Sequence, residues 1–91
     1  MISATMIGAT SYIVTVAKDV DHEFTVELEP EFYRELCGGG VTHEWVLVQS
    51  FRFLLERESV DQILPQFNLR QICDYFPEFV DTMRGQLVES H

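Results

Sequence analysis

The sequence predicts an α+β fold in which an N-terminal antiparallel β-hairpin packs on four to five helices. Two segments, about residues 11–18 and 23–29, alternate apolar with polar residues at the two-residue period of a half-buried strand. Three consecutive glycines at 38–40 then interrupt the chain. Beyond them, apolar residues recur at helical spacing behind residues that cap helices. Because 91 residues is the length of one domain, we expect a single domain over 1–91.

The hairpin is predicted at about residues 11–29, and the helical part at about 30–89. Folding the chain about Val20 puts Val16 opposite Phe24 and keeps every apolar side chain on one face. The residues of that face are Tyr12, Val14, Val16, Phe24, Val26 and Leu28. Residues 1–10 are apolar but short, and we expect only a partly ordered lead-in there.

Capping residues mark where the helices begin. Pro30 suits the first turn of a short helix that ends at Cys37, before the glycines. Thr42 caps a second helix, predicted from His43 to about Glu58.

Two capping boxes and a proline predict three further helical starts. The boxes are Ser59–Gln62 and Asn68–Gln71, in which the first side chain and the fourth can bond to each other's backbone N–H. Pro65 closes the first of these short helices, and Pro77 opens or kinks the last helix. The C-terminal half is therefore expected to be helical, with several short helices.

The charge balance excludes some classes of function. Fifteen acidic residues against six Lys and Arg give a net charge of −9, and so few cations cannot neutralise many phosphates, which disfavours nucleic acid as a partner. No apolar run reaches the length of about 18 residues that a membrane span needs. The two cysteines are too few for a disulfide scaffold, which favours a reducing, cytoplasmic location.

Two features near the glycine run can be interpreted as chemical sites. A glycine loop before a helix can cradle phosphate, but residues 38–40 lack the lysine and the preceding strand of such loops. Cys37 and His43 could form a thiol–imidazole pair, yet Cys37 is predicted at a helix C-terminus, where the helix dipole opposes a thiolate. We therefore expect a helix stop and a packed thiol, with no catalytic residues.

The hairpin turn holds the densest group of potential metal ligands. It contains Asp19, Asp21 and His22 within four residues, but it is far too short for a calcium loop of the EF-hand type. Asp and His are also common turn residues. We expect no dedicated metal site and no cofactor, and the sequence leaves open whether this turn binds an ion weakly.

One flank of the second helix is the best candidate for an interaction surface. The predicted surface consists of Trp45, Val46, Gln49 and Phe53. Aromatic residues dominate the energetics of interfaces when they stay exposed. The alternative is that this flank packs in the core against Phe76 and Phe79, and sequence does not distinguish the two.

Residues 24–36 resemble the opening of a ribbon-helix-helix repressor. They combine a short strand with a helix that starts at a proline, and a capped helix follows from Thr42. The resemblance implies a transcriptional regulator or antitoxin module that reads DNA with the outward residues of its strand. Those residues here are Glu23, Glu27 and Glu29, which phosphate would repel.

Residues 12–78 also resemble small bacterial proteins without an assigned activity. The likeness lies in the hairpin, the glycine break, residues 50–58, residues 63–69 and residues 75–79. It implies the same hairpin-plus-helices fold and no catalytic residues. We therefore expect a small acidic, non-enzymatic interaction or accessory protein. It would bind a basic protein or a second copy of itself, through the helix flank or the exposed edge of the hairpin.

Overall fold

The structure, a computed structural model, describes the backbone of residues 1–88 and the side chains of 1–87, and it is an α+β fold. A four-stranded sheet has the order β1-β2-β3-β4, and the helices pack on one of its faces. The described strands are β1 (Ile2–Met6), β2 (Ser11–Lys18), β3 (Val20–Glu27) and β4 (Gln66–Asn68). The described helices are α1 (Pro30–Cys37), α2 (His43–Leu55), α3 (Ile72–Tyr75) and α4 (Phe79–Val88). The predicted fold class is confirmed at this level.

The hairpin forms with a register two residues away from the predicted one. Asp19, with φ of 66°, is the single residue between the two strands, and Val16 lies opposite His22 where Phe24 was expected. Val14 takes Phe24 as its partner. Because side chains alternate with a period of two, a shift of two residues leaves the same side chains on the buried face.

Residues 2–6 form a strand, where only a partly ordered lead-in was expected. β1 pairs antiparallel with β2, from Ile2 opposite Val16 to Met6 opposite Tyr12. Its alternation is short and built from small residues such as Ala4, so the period-two signal is weak in sequence. Pairing with the central hairpin supplies the order that five isolated residues lack.

A second strand, β4, was also missed. Asn68 was expected only as the cap of a helix, but residues 66–68 pair in parallel with β3, with Phe67 opposite Val26. The N–H of Thr25 donates to the carbonyl oxygen of Pro65 at 2.8 Å, which extends the contact. Three residues are too few for a periodic signal, and only the long-range pairing defines this strand.

The two central helices begin where their caps predict. α1 starts at Pro30 and ends at Cys37. Gly38 follows it, with a φ of 65°, the left-handed conformation that suits glycine. The hydroxyl oxygen of Thr42 accepts a 3.0 Å hydrogen bond from the N–H of Trp45. α2 ends at Leu55, three residues before the predicted end.

The two capping boxes are present, but each begins a single turn of 3₁₀ helix, at Val60–Gln62 and Leu69–Gln71. α3 follows the second turn directly, and α4 begins two residues after Pro77. The expected four to five helices are therefore four α-helices and two 3₁₀ turns in the described part of the chain.

The core lies between the helices and the inward face of the sheet. All six apolar hairpin residues predicted to share a face are buried there. Phe51 of α2 packs between Phe24 and Phe67, with ring centroids 5.2 and 6.0 Å away. One buried side of α2 therefore covers the hairpin.

Candidate interaction surface

The structure divides the four residues of the predicted interaction surface. Val46 and Phe53 are buried, with at most 1% of their surface exposed. Trp45 keeps 39% of its surface exposed, and Gln49 is half-buried. Of these four residues, only Trp45 and Gln49 are therefore placed to contact another molecule.

Phe53 packs in the core against Phe76 and Phe79, which is the alternative to an exposed surface. Its ring meets those of Phe76 and Phe79 edge to face, at centroid distances of 5.8 and 5.0 Å. The guanidinium of Arg57 lies 3.6 Å from the ring centroid and covers its outer side, a cation–π arrangement. The two phenylalanines lie far along the chain from Phe53, whereas Arg57 comes from the next turn.

The exposed side of α2 forms a stripe that we call the α2 stripe, consisting of Trp45, Gln49, Arg52 and Glu56. Their spacing of four, three and four residues puts them on one side of a helix. The guanidinium of Arg52 lies 5.9 Å from the Trp45 ring centroid. The stripe therefore combines an aromatic surface with one charge of each sign.

An open groove of about 410 Å³ lies between the α2 stripe and the start of β1, and residues of both line it. The residues that line it are Ile2, Gln49, Arg52, Leu55, Glu56 and Gln86. Ile2 is half-buried in its wall. The groove therefore brings the α2 stripe next to the first strand, a juxtaposition that sequence did not predict.

β1 has an outer edge with backbone groups available for pairing. Among the described residues, no strand lies beyond it. Met1 and Ala17 exchange backbone hydrogen bonds of 2.8 and 3.2 Å, so the odd-numbered residues of β1 bond to β2. The N–H and C=O groups of Ile2, Ala4 and Met6 therefore point away from the sheet.

The β1 edge also lacks the features that usually protect an edge strand. Residues 1–17 contain no charged side chain and no proline, and Met6 is 52% exposed. The opposite side of the sheet differs, because β4 covers β3 only over Thr25–Glu27. The rest of that edge carries Asp21 and Glu23, whose charges discourage pairing.

The glycine run ends one helix and leads to the next. Gly38 and Gly39 have positive φ values of 65° and 87°, and the N–H of Gly38 donates to the Arg34 carbonyl at 2.8 Å. The Tyr33 hydroxyl donates to the carbonyl oxygen of Val41 and so ties down the loop that follows. These bonds account for the loop as a connection between helices.

Cys37 and His43 both contact Tyr33. The thiol of Cys37 donates to the Tyr33 carbonyl oxygen at 3.5 Å, and the His43 ring stacks on the Tyr33 ring at 3.8 Å. Burial, followed by the nearby Cys37 thiol, raises the pKa of Tyr33, so its phenol stays protonated at neutral pH. Burial also raises the pKa of the Cys73 thiol. These contacts are those of packed side chains.

The acidic turn lies at the tip of the hairpin. Asp19 and Asp21 are exposed there, and His22 is half-buried opposite Val16. Within residues 1–88, no three His, Cys, Asp or Glu side chains come close enough together to hold a metal ion.

Four of the six cationic side chains are engaged within the chain. Arg57 and Arg70 each form two ion pairs and each cover an aromatic ring, while Arg84 donates to the Glu35 carbonyl oxygen at 2.7 Å. Arg52 lies over Trp45. The cations therefore stabilise the chain's own surface and form no basic patch of their own.

The described helices include none that combines the length and hydrophobicity needed to cross a bilayer. Comparisons of the chain with family models, with curated proteins and with solved structures found no match.

Proposed function

We propose that this protein is a small, non-enzymatic interaction module that forms a homodimer through its β1 edge. The observation that carries the proposal is the row of outward N–H and C=O groups on Ile2, Ala4 and Met6, on a strand with no charge to protect it. Such an edge is a template for another strand.

A two-fold axis at Ala4 would join two copies in antiparallel register. Ala4 would face Ala4 of the second copy, and Ile2 would face Met6 in both directions. All three pairs use outward backbone groups, so about six hydrogen bonds would form. The contact is isologous, as in most symmetric dimers, and gives one continuous sheet of both copies.

The side chains fit the same arrangement. Residues directly opposite each other in antiparallel strands share a face of the sheet. Met6 of the second copy would therefore lie beside Ile2, at the groove that Ile2 shares with Arg52 and Leu55. Met6 is half-exposed in one chain, and its flexible thioether suits an irregular groove. Trp45 and Gln49 of the α2 stripe would lie at the rim of the dimer interface.

Charge favours this surface over the others. Each copy carries −9, so a second copy is repelled most where acids are dense. Residues 18–35 contain seven acids and two cations, whereas residues 1–17 contain no charged side chain. The β1 edge is therefore the surface at which two copies repel each other least.

The ribbon-helix-helix alternative receives less support. Its strand would have to pair with a second copy, but β3 pairs with β2 along its length and with β4 over Thr25–Glu27. The outward side chains of β3 include Glu23 and Glu27. A basic protein remains the second candidate partner, favoured by this acidic outer face of the sheet.

The test compares the mass in solution of the wild type and two variants, measured by sedimentation equilibrium up to about 1 mM chain. A dissociation constant of about 1 mM corresponds to a binding free energy of about 4 kcal/mol. The wild type should show the mass of two chains. Met6→Asp should remain a monomer, because it places a carboxylate in the paired edge. The matched control is Val20→Asp at the hairpin tip, where the side chain is 64% exposed; it adds the same charge and should still dimerise.

The variant Ala4→Pro tests the pairing between two β1 strands independently. It removes an N–H that points outward, so the bonds between β1 and β2 persist while the pairing with a second copy is blocked. Circular dichroism and the unfolding midpoint check that the variants fold. A wild type that is monomeric at about 1 mM, or a Met6→Asp variant that dimerises as the wild type does, would overturn the proposal.

A further inference from the structure

A second cavity shares no lining residue with the groove beside β1. It has a volume of about 150 Å³ and sits between the end of α2, residues 62–67 and α3. Its walls are mainly apolar and include Leu54, Ile63, Phe67 and Ile72. An apolar space of this size holds a ring of about six carbon atoms.

The mouth of the cavity combines exposed apolar groups with a carboxylate. Leu64 and Tyr75 line it and are 49% and 65% exposed. Glu58, half-buried, also lines it. The ion pairs of the neighbouring Arg57 go to Glu56 and Glu78, so within the described residues Glu58 has no cationic partner.

Two side chains in the wall are held in place by the capping boxes. The Oε1 atom of Gln62 accepts from the N–H of Ser59 at 3.4 Å, and that of Gln71 accepts from the N–H of Asn68 at 2.7 Å. Both glutamines line the cavity. Because these bonds fix the side chains before any ligand arrives, the polar part of the wall is preorganised.

We propose that this cavity binds a small organic cation, a primary amine with an aryl or branched alkyl body of about six to eight heavy atoms. The apolar body would fill the space between Ile63, Phe67 and Ile72. The ammonium would lie at the mouth beside Glu58. The acidic surface of the protein raises the local concentration of cations and so favours the approach of such a ligand.

The experiment is a titration of the ¹⁵N-labelled full chain with three ligands of similar shape: phenethylamine, 2-phenylethanol and phenylacetate. The amine should bind most tightly and the anion most weakly, with amide shifts concentrated at residues 58–76. Glu58→Gln should weaken the amine about two- to fivefold, the range of a partly exposed ion pair, and leave the alcohol unchanged. Glu56→Gln is the control, since it makes the same change in net charge but lies in the groove beside β1, outside this cavity.

Leu54→Phe is a second variant, which fills the cavity from its wall and should abolish binding of both the amine and the alcohol. The unfolding midpoint shows whether it folds, and Glu58→Gln tests the proposal independently of it. The proposal is overturned if the wild type binds none of the three ligands, or if it binds the alcohol as tightly as the amine. Amine shifts spread over the acidic face and equal in both glutamine variants would also overturn it, since they indicate binding to net charge alone.

Discussion

Phe53 and Trp45 lie eight residues apart on α2, and the structure gives them different surroundings. Phe53 is 1% exposed and packs among two phenylalanine rings and a guanidinium, whereas Trp45 is 39% exposed at the start of the α2 stripe. Both are large aromatic residues on one flank, so their sequence pattern does not separate them. Their contributions to folding should therefore differ in a measurable way.

Replacing each aromatic residue by alanine should separate the two roles. Phe53→Ala removes a buried ring and should lower the free energy of unfolding by about 3–5 kcal/mol. Trp45→Ala should lower it by about 1 kcal/mol or less, since much of that ring already contacts water. Chemical denaturation of both variants at a concentration where the chain is monomeric makes the comparison. Equal losses would contradict the placement of Phe53 in the core.

Replacing Gly38 or Gly85 by alanine should change the stability of the protein in opposite directions. Gly38 has φ of 65°, so Gly38→Ala forces a side chain into the left-handed region and should cost about 1 kcal/mol or more. Gly85 lies within α4, where an added Cβ meets no atom within 4 Å. Gly85→Ala should stabilise the protein by about 0.5–1 kcal/mol. Thermal unfolding of the two variants checks the signs; a stabilising Gly38→Ala would refute the cap at the end of α1.

At the scale of elements, Glu27 joins the end of β3 to the start of β2. Its carboxylate accepts hydrogen bonds from the hydroxyls of Ser11 and Thr10, the latter at 2.7 Å. These two bonds, Ser11 first, lower the pKa of Glu27 below its ordinary value of 4.5. The ionised form is therefore favoured in the folded chain.

The lowered pKa predicts a pH dependence with a defined sign. The stabilisation that Glu27 provides should be fully present above about pH 4.5, its unfolded value, and should be lost as the pH falls through the lower folded pKa. Ser11→Ala should raise the pKa of Glu27, as followed by ¹³C NMR of the carboxyl carbon. The difference in free energy of unfolding between the Ser11→Ala variant and the wild type should become smaller as the pH falls. Ser3→Ala, on the outward face of β1, should leave the titration of Glu27 unchanged.

Local signals predicted where α1 and α2 begin, because capping is a local interaction. Thr42 bonds to Trp45 three residues on, and Gly38 ends α1 by its own backbone conformation. β1 and β4 were missed because their order comes from partners far along the chain. The hairpin register was off by two residues, since the turn at Asp19 is tighter than a turn centred on Val20.

At the scale of the whole molecule, residues 1–17, which include β1, carry no charged side chain, whereas residues 18–35 carry seven acids. Most cations are engaged by aromatic rings, carboxylates or carbonyl oxygens of the same chain, which leaves the acids to dominate the outer surface. Two copies that each carry −9 repel each other at long range, and the proposed contact lies where no charged side chain is present. The proposed dimer therefore depends on ionic strength in a direction opposite to that of nucleic-acid binding.

Self-association should tighten as salt is added. Raising the ionic strength from about 0.01 M to about 1 M shortens the screening length from about 30 Å to about 3 Å and removes the repulsion between copies that each carry −9. Sedimentation equilibrium across this range should show a falling dissociation constant for the wild type. Met6→Asp should stay monomeric at every salt concentration. A wild-type dimer that weakens with salt would indicate an interface held by charge pairs and would contradict pairing at a neutral strand.

The sequence by itself determined the α+β class, the inward face of the hairpin, the helix starts at Pro30 and Thr42, and the acidic surface. All of these depend on periodicity, capping and composition, which act over a few residues. Only the tertiary structure decided that residues 2–6 are a strand, that Phe53 belongs to the core, and that the α2 stripe lies beside Ile2. Each of these depends on long-range pairing or packing, because the partner of a short strand or an aromatic ring is set by the whole fold.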